Sequence, residues 1–174
     1  SALKDPDSGR LILFADPRQD LYERKATLPV VNEFELTVNF RNTKCIAKEV
    51  ARQLGEAQSS AAQCPVGVAP VVHKITEKTD VKRQVGELIR NLTKTEKMRP
   101  EQITILSPHT PKNSSLGELT TFVGLAVSND PIRRSGAVLH TSIARFKGLE
   151  SDVVILIDVA ADDPRSSKRA RYVA

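Results

Sequence analysis

The chain has 174 residues, 40% of them hydrophobic and 27% charged, with 26 Lys and Arg against 21 Asp and Glu, a net charge of +5 and a pI of about 9.4. That composition and length fit one domain, or one and a piece of another, and no run of about 18 apolar residues predicts a transmembrane helix. The polar first ten residues show no apolar signal core, and Cys45 and Cys64 are too few for a disulfide framework, so the expected setting is a cytoplasmic protein with reduced thiols. The mild basic excess, with one cluster at Arg165, Lys168, Arg169 and Arg171, favours a polyanionic partner.

Residues 11–15 (LILFA) follow the turn signal Asp7-Ser8-Gly9 and predict a buried strand. Such a strand delivers Asp16, Gln19 and Tyr22 at its carboxyl end, where α/β folds bind ligands. Residues 36–40 (LTVNF) predict the next strand. Asn42 or Thr43 then caps a helix whose apolar residues Ile46, Val50 and Leu54 recur at helical spacing, with Gly55 as its stop. Residues 58–70, rich in Ser, Ala, Gln and Pro, predict a loop, and residues 71–75 (VVHKI) a candidate edge strand with His73 as a structural residue. A helix is predicted over residues 79–94, started by Asp80, with Val81, Val85, Leu88, Ile89 and Leu92 as its buried stripe.

After the break at Arg99-Pro100-Glu101, residues 103–106 (ITIL) predict a buried strand ending in Ser107-Pro108-His109. Leu116, Leu119, Thr120 and Val123 have the spacing of a short helix capped by Asn113 or Ser114, and Asn129-Asp130-Pro131 marks a turn. Two further strands are predicted at residues 137–139 and 153–157. The second is continuous and β-branched, the pattern of a strand buried on both faces. The hinge between them, Arg145-Phe146-Lys147-Gly148-Leu149-Glu150, sets a cation, a glycine that permits a turn and a carboxylate side by side. Lys147 and Glu150 can project from it toward a common ligand. The alternation of strand and helix predicts an α/β fold with a mostly parallel sheet flanked by helices. His109 and His140 lack the spacing of metal ligands.

In order along the chain, several of these stretches resemble the motifs of superfamily 1 DNA helicases of the UvrD/Rep type. Asp16, Gln19 and Tyr22 match motif III, with Ala15 where a Gly is usual; residues 36–50 (LTVNFRNTKCIAKEV) are similar to motif IV. RFKGLE and the hydrophobic run after it resemble motif V, and residues 171–174 (RYVA) resemble the opening of motif VI. The resemblance implies a RecA-like, P-loop NTPase-like fold. Residues 1–30 would be the end of a first RecA-like domain, with the motif III strand and a linker, and residues 31–174 a second one that stops within motif VI.

By that resemblance Gln19 senses the terminal phosphate of ATP, Arg41 meets the γ-phosphate through its fork of donors, and Phe40 stacks on the adenine. Gly148 lets the backbone approach the phosphates, and Glu150 accepts from the ribose. Tyr22 stacks on a base of single-stranded DNA, and Thr141 and Ser142 contact the DNA backbone. Ala144 stands where many relatives have His, which removes that contact, and the accessory insertion of larger relatives is absent or reduced to a loop. No G-x-x-x-x-G-K-[ST] loop and no Asp-Glu pair of the Walker B kind occur in the sequence, so this second domain lacks its own P-loop and Mg²⁺ ligands.

The implied activity is ATP hydrolysis coupled to translocation on single-stranded DNA and unwinding of duplex DNA. ATP and Mg²⁺ are the cofactors, the first RecA-like domain is a partner, and no membrane is involved. The isolated stretch is expected to be inactive. The alternative is a non-catalytic RecA-like module that binds nucleic acid or a protein. The helicase reading requires Gln19, Arg41 and Glu150 to converge on one wall.

Overall fold

The structure, a computed structural model, describes residues 34, 38–39, 41–55, 59–75, 78–132, 136–160, 163 and 166. The predicted strand at 11–15, Gln19, Tyr22, Phe40, the basic cluster apart from its intervening Ser166, and the RYVA stretch lie outside the described residues. The elements in chain order are β1 (Val38–Asn39), α1 (Lys44–Leu54), β2 (Ser59–Ser60), α2 (Lys78–Lys94), β3 (Ile103–Ser107), β4 (Thr121–Phe122), β5 (Leu125–Ser128), β6 (Val138–Ser142), α3 (Ile143–Phe146) and β7 (Val153–Leu156).

Five of the strands form one sheet in the order β4-β5-β6-β3-β7, parallel throughout except for the β4–β5 hairpin. This is the expected α/β architecture, a mostly parallel sheet with helices on its faces. Side chains alternate between the two faces of a strand, so each face collects its own core. Ile103, Ile105, Val138, Ile155 and Ile157 pack with Val85, Ile89 and Leu92 of α2. Leu106 and Leu139 pack with Ile143 and Phe146 of α3 on the opposite face. β3 and β6 are buried along their whole length, as strands with covered faces are in parallel sheets.

Helix α1 begins at Thr43, whose hydroxyl accepts from the Ile46 N–H at 3.4 Å, and ends at Gly55, whose N–H donates to the Ala51 carbonyl at 2.9 Å. Its buried face centres on Ala47 rather than on Ile46, which is exposed. In α2, Val85, Ile89 and Leu92 face the core as predicted, whereas Leu88 stands at the rim of the stripe and is partly exposed.

Three further expectations are corrected. Residues 71–75 are not a strand: Val71 and Val72 are 75% and 76% exposed and pair with no strand among the described residues. Their β-branched side chains favour the extended conformation, but a strand also needs a ladder partner. The residues expected to be helical, Leu116 to Val123, form no helix: they run as turns and bends after a 3-10 turn at Pro111–Asn113 and end in β4 and the turn of the β4–β5 hairpin. Val123 and Gly124, the two turn residues, have φ of 49° and 83°, the pair of positive values a tight hairpin of the type I′ class demands.

β7, expected to be buried on both faces, lies at the sheet edge among the described residues. Its Val154 is partly exposed, while Ile155 is buried. The continuous apolar run reads alike in both settings, and neighbouring strands decide between them. The strand expected at 36–40 is present in its described part, β1, which pairs in parallel with β2 in a separate two-stranded ladder, Val38 with Ser59 and Asn39 with Ser60.

The core assignment predicts a contrast. Ile105→Ala, at the centre of β3, lowers the unfolding free energy by about 2–5 kcal/mol in urea titrations. Val72→Ala stays within about 0.5 kcal/mol of the parent. A loss at Val72 as large as that at Ile105 would return residues 71–75 to the core.

Candidate functional site

Arg41 and Glu150, distant in sequence, meet on the surface. Arg41 Nε lies 2.9 Å from Glu150 Oε1, with the two side chains 63% and 69% exposed. Arg41 sits in the short turn that leads to Thr43 and the start of α1. Glu150 sits past the turn that closes α3, where Gly148 has φ of 86° and Leu149 N–H donates to the Phe146 carbonyl at 2.9 Å.

The chain on the far side of Glu150 is tied to the amino end of β3. Ser151 Oγ accepts from Thr104 Oγ1 at 2.9 Å and donates to the Gln102 carbonyl at 3.0 Å, and Gln102 Nε2 donates to Asp152 Oδ2 at 2.8 Å. Glu150 is therefore presented from a braced segment, near the amino end of β7. An exposed ion pair of this kind stabilises the fold by about 1 kcal/mol at most, and both charges remain open to solvent.

Thr141 and Ser142 are not beside that pair. They end β6, at the carboxyl side of the sheet, and both are buried. Ser142 Oγ accepts from the Arg145 N–H at 3.4 Å and caps α3, whereas Thr141 Oγ1 has no hydrogen-bond partner among the described residues. Gly148 is exposed, and a Cβ there would meet open space. Gln19, Tyr22 and Phe40 lie outside the described residues, so of the three residues expected to share a wall, Arg41 and Glu150 are the two whose meeting is seen.

The carboxyl ends of the strands hold a polar cluster that sequence reasoning missed. Asp158, just beyond β7 and at φ 59°, accepts from Ser107 Oγ at 2.9 Å, from the Ser115 N–H at 3.0 Å and from Ser115 Oγ. His109 N–H donates to Ser107 Oγ at 3.1 Å, and His109 Nε2 lies 3.0 Å from Asp163 Oδ2. Ser114 Oγ donates to the Pro111 carbonyl at 2.9 Å and stands 3.2 Å from His140 Nε2. His140 Nδ1 has no hydrogen-bond partner among the described residues. Burial pushes the His140 imidazole below its ordinary range, and the negative charge of Asp158 partly opposes that. The signal that could have found this cluster is positional: each member follows or ends a predicted parallel strand, or lies in the loop after one.

Among the described residues no group of three or more His, Cys, Asp and Glu could hold a metal ion, and no helix is long and apolar enough to cross a membrane. Compared with models of protein families and with curated proteins, the chain shows no match.

His140 gives a pH prediction. Its folded-state pKa lies below the ordinary 6.5, so on acidification the unfolded chain binds the proton first. Stability present above pH 6.5 is lost as pH falls below it. Glu49, held at about 2 by hydrogen bonds from Arg52 and then Gln53, loses its contribution only below the ordinary 4.5. Thermal midpoints at pH 7.5 and pH 5 isolate the histidine effect: the drop on acidification is expected to shrink in His140→Gln. An equal drop in parent and variant would remove His140 as its source.

Proposed function

We propose that the chain is part of an ATP-dependent superfamily 1 DNA helicase of the UvrD/Rep type, with this α/β unit as the second RecA-like domain. The observation that carries the reading is the Arg41–Glu150 pair. Its members come from the two stretches similar to motifs IV and V, and their side chains meet at 2.9 Å on an open surface. So exposed a pair adds little to stability, and both charges stay accessible to a ligand.

In this reading, a triphosphate exchanges the partner of Arg41. The guanidinium fork leaves the Glu150 carboxylate for γ-phosphate oxygens, where a permanent, planar charge is most effective. Glu150 then accepts from the ribose hydroxyls, the backbone at Gly148 lies near the phosphates, and Phe40 stacks on the adenine. Gln19 reports the terminal phosphate from the first RecA-like domain, which also supplies the ligands of the Mg²⁺ that accompanies ATP. Closure of the two domains on ATP shifts one DNA grip relative to the other and moves the protein along single-stranded DNA. Tyr22 belongs to that grip. Thr141 and Ser142 are buried, and they add nothing to the argument. The net charge of +5 accords with a polyanionic track.

The decisive variant is Arg41→Ala in the complete gene product. ATP turnover should fall by about 10²–10³ with binding of a labelled single-stranded oligonucleotide retained. Normal turnover in that variant, or robust ATP hydrolysis by residues 1–174 alone, would overturn the reading.

A further inference from the structure

An α-helix leaves its first four N–H groups without partners inside the helix, and α1 satisfies two of them in an unusual way. Thr43 serves Ile46, but Lys44 N–H donates to the Pro65 carbonyl at 2.9 Å and Cys45 N–H to the Val66 carbonyl at 3.0 Å. The Lys44 ammonium reaches the same segment and donates to the Ala62 carbonyl at 2.9 Å. No acidic residue stands in the first turn of α1 to share this role. Gly67 then passes so close to Thr43 that a Cβ on it would overlap Thr43 Cβ, Oγ1 and Cγ2, and its φ is +72°. Residues 61–67 thus grip the start of α1 by two main-chain hydrogen bonds, one side-chain hydrogen bond and one glycine-only approach.

We propose that residues 61–67 are a clamp that fixes the turn at residues 41–43 and thereby aims Arg41 at Glu150, with Gly67 as a positioning residue of the nucleotide site; this rests on the function proposed above. One residue, Asn42, separates Arg41 from Thr43, the residue the clamp touches most closely. If the clamp slips, the first turn of α1 loses two hydrogen bonds and its cap is displaced, so the backbone that carries Arg41 is no longer held. The clamp also has a chemical consequence. Carbonyl oxygens already occupy the N–H groups at the start of α1, where many folds receive phosphate. At this corner the phosphate contact therefore falls to the Arg41 side chain, a donor that can swing between a carboxylate and a ligand, and not to the helix itself.

The test uses residues 1–174, isotope-labelled, with Gly67→Ala. In the parent, the Lys44 and Cys45 amides exchange slowly with solvent, and the Arg41 Nε–H signal is that of a paired guanidinium. In the variant, those amides exchange about tenfold faster, and the Arg41 signal moves to that of a solvated guanidinium. In the complete gene product carrying the same substitution, affinity for a non-hydrolysable ATP analogue falls by about the same factor. Thr43→Gly in the Gly67→Ala background removes the overlap and keeps an acceptable N-cap while the strain of the positive φ at residue 67 remains, so it restores part of the Arg41 signal. If Gly67→Ala does not fold by circular dichroism, the double variant against the parent and against Thr43→Gly alone carries the comparison.

Fast amides with an unchanged Arg41 signal, or amides that do not change at all, overturn the clamp. A complete gene product that binds no analogue counts against the proposed function, and the clamp is then judged on the Arg41 signal alone.

Discussion

Every residue of β3 is buried, with β6 along one edge and β7 along the other, α2 over one face and α3 over the opposite one. Water cannot reach its backbone, so each N–H and C=O must find a partner in the adjoining ladders. That requirement fixes register. Ser107 is held opposite Ser142, and Ile103 opposite Val153. A slip of one residue would turn Ile103 and Ile105 away from α2 and bring Thr104 in their place, which hydrophobic burial forbids. The polar residues at the two ends of the strands inherit their positions from this apolar middle.

Those two ends differ in electrostatic regime. At the amino end, hydrogen bonds among Gln102, Thr104, Ser151 and Asp152 hold the segment that presents Glu150 to solvent, and its pairing with Arg41 is weak because water competes for both charges. At the carboxyl end, Asp158 accepts three hydrogen bonds and burial pushes the His140 imidazole below its ordinary range. The first arrangement can trade partners at small cost. The second cannot, because removing any one donor would leave a charged or polar group stranded in a poorly solvated place.

Much of the sheet was legible in the sequence because periodicity survives translation into structure. The i, i+4, i+7 spacing of Val85, Ile89 and Leu92 identified α2, and the short apolar runs identified β3, β6 and β7. Where the sequence misled, two physical tendencies competed. Leu116, Leu119, Thr120 and Val123 carry helical spacing, but Gly117 interrupts them, and the Val123-Gly124 pair makes a hairpin turn that a valine rarely enters. Val71 and Val72 have strand propensity without a neighbour to pair with. The cluster around Asp158 had only its position at strand ends to mark it, because Ser107, the Ser114-Ser115 pair and His140 come from separate stretches that the folded sheet brings together. The expectation that Arg41 and Glu150 belong together came from family resemblance, since no local pattern links them.

The two partners of that surface pair have separate anchors. Glu150 is referred to β3 through Ser151 and Asp152, whereas Arg41 is referred to α1 through Thr43 and the segment that ends at Gly67. α1 and the β1–β2 ladder stand outside the five-stranded sheet, so the ion pair is a bridge between two supports that are each held by their own hydrogen bonds. A weak bond between firm supports has a specific property: it can break and re-form without melting either side. If both residues were buried, exchanging the carboxylate for another anion would cost the desolvation of an unpaired charge. If neither were anchored, the two groups would lose more conformational entropy on meeting a common ligand than the contact returns. Firm backbones beneath exposed, exchangeable side chains therefore suit a site that must let its ligand go on every cycle.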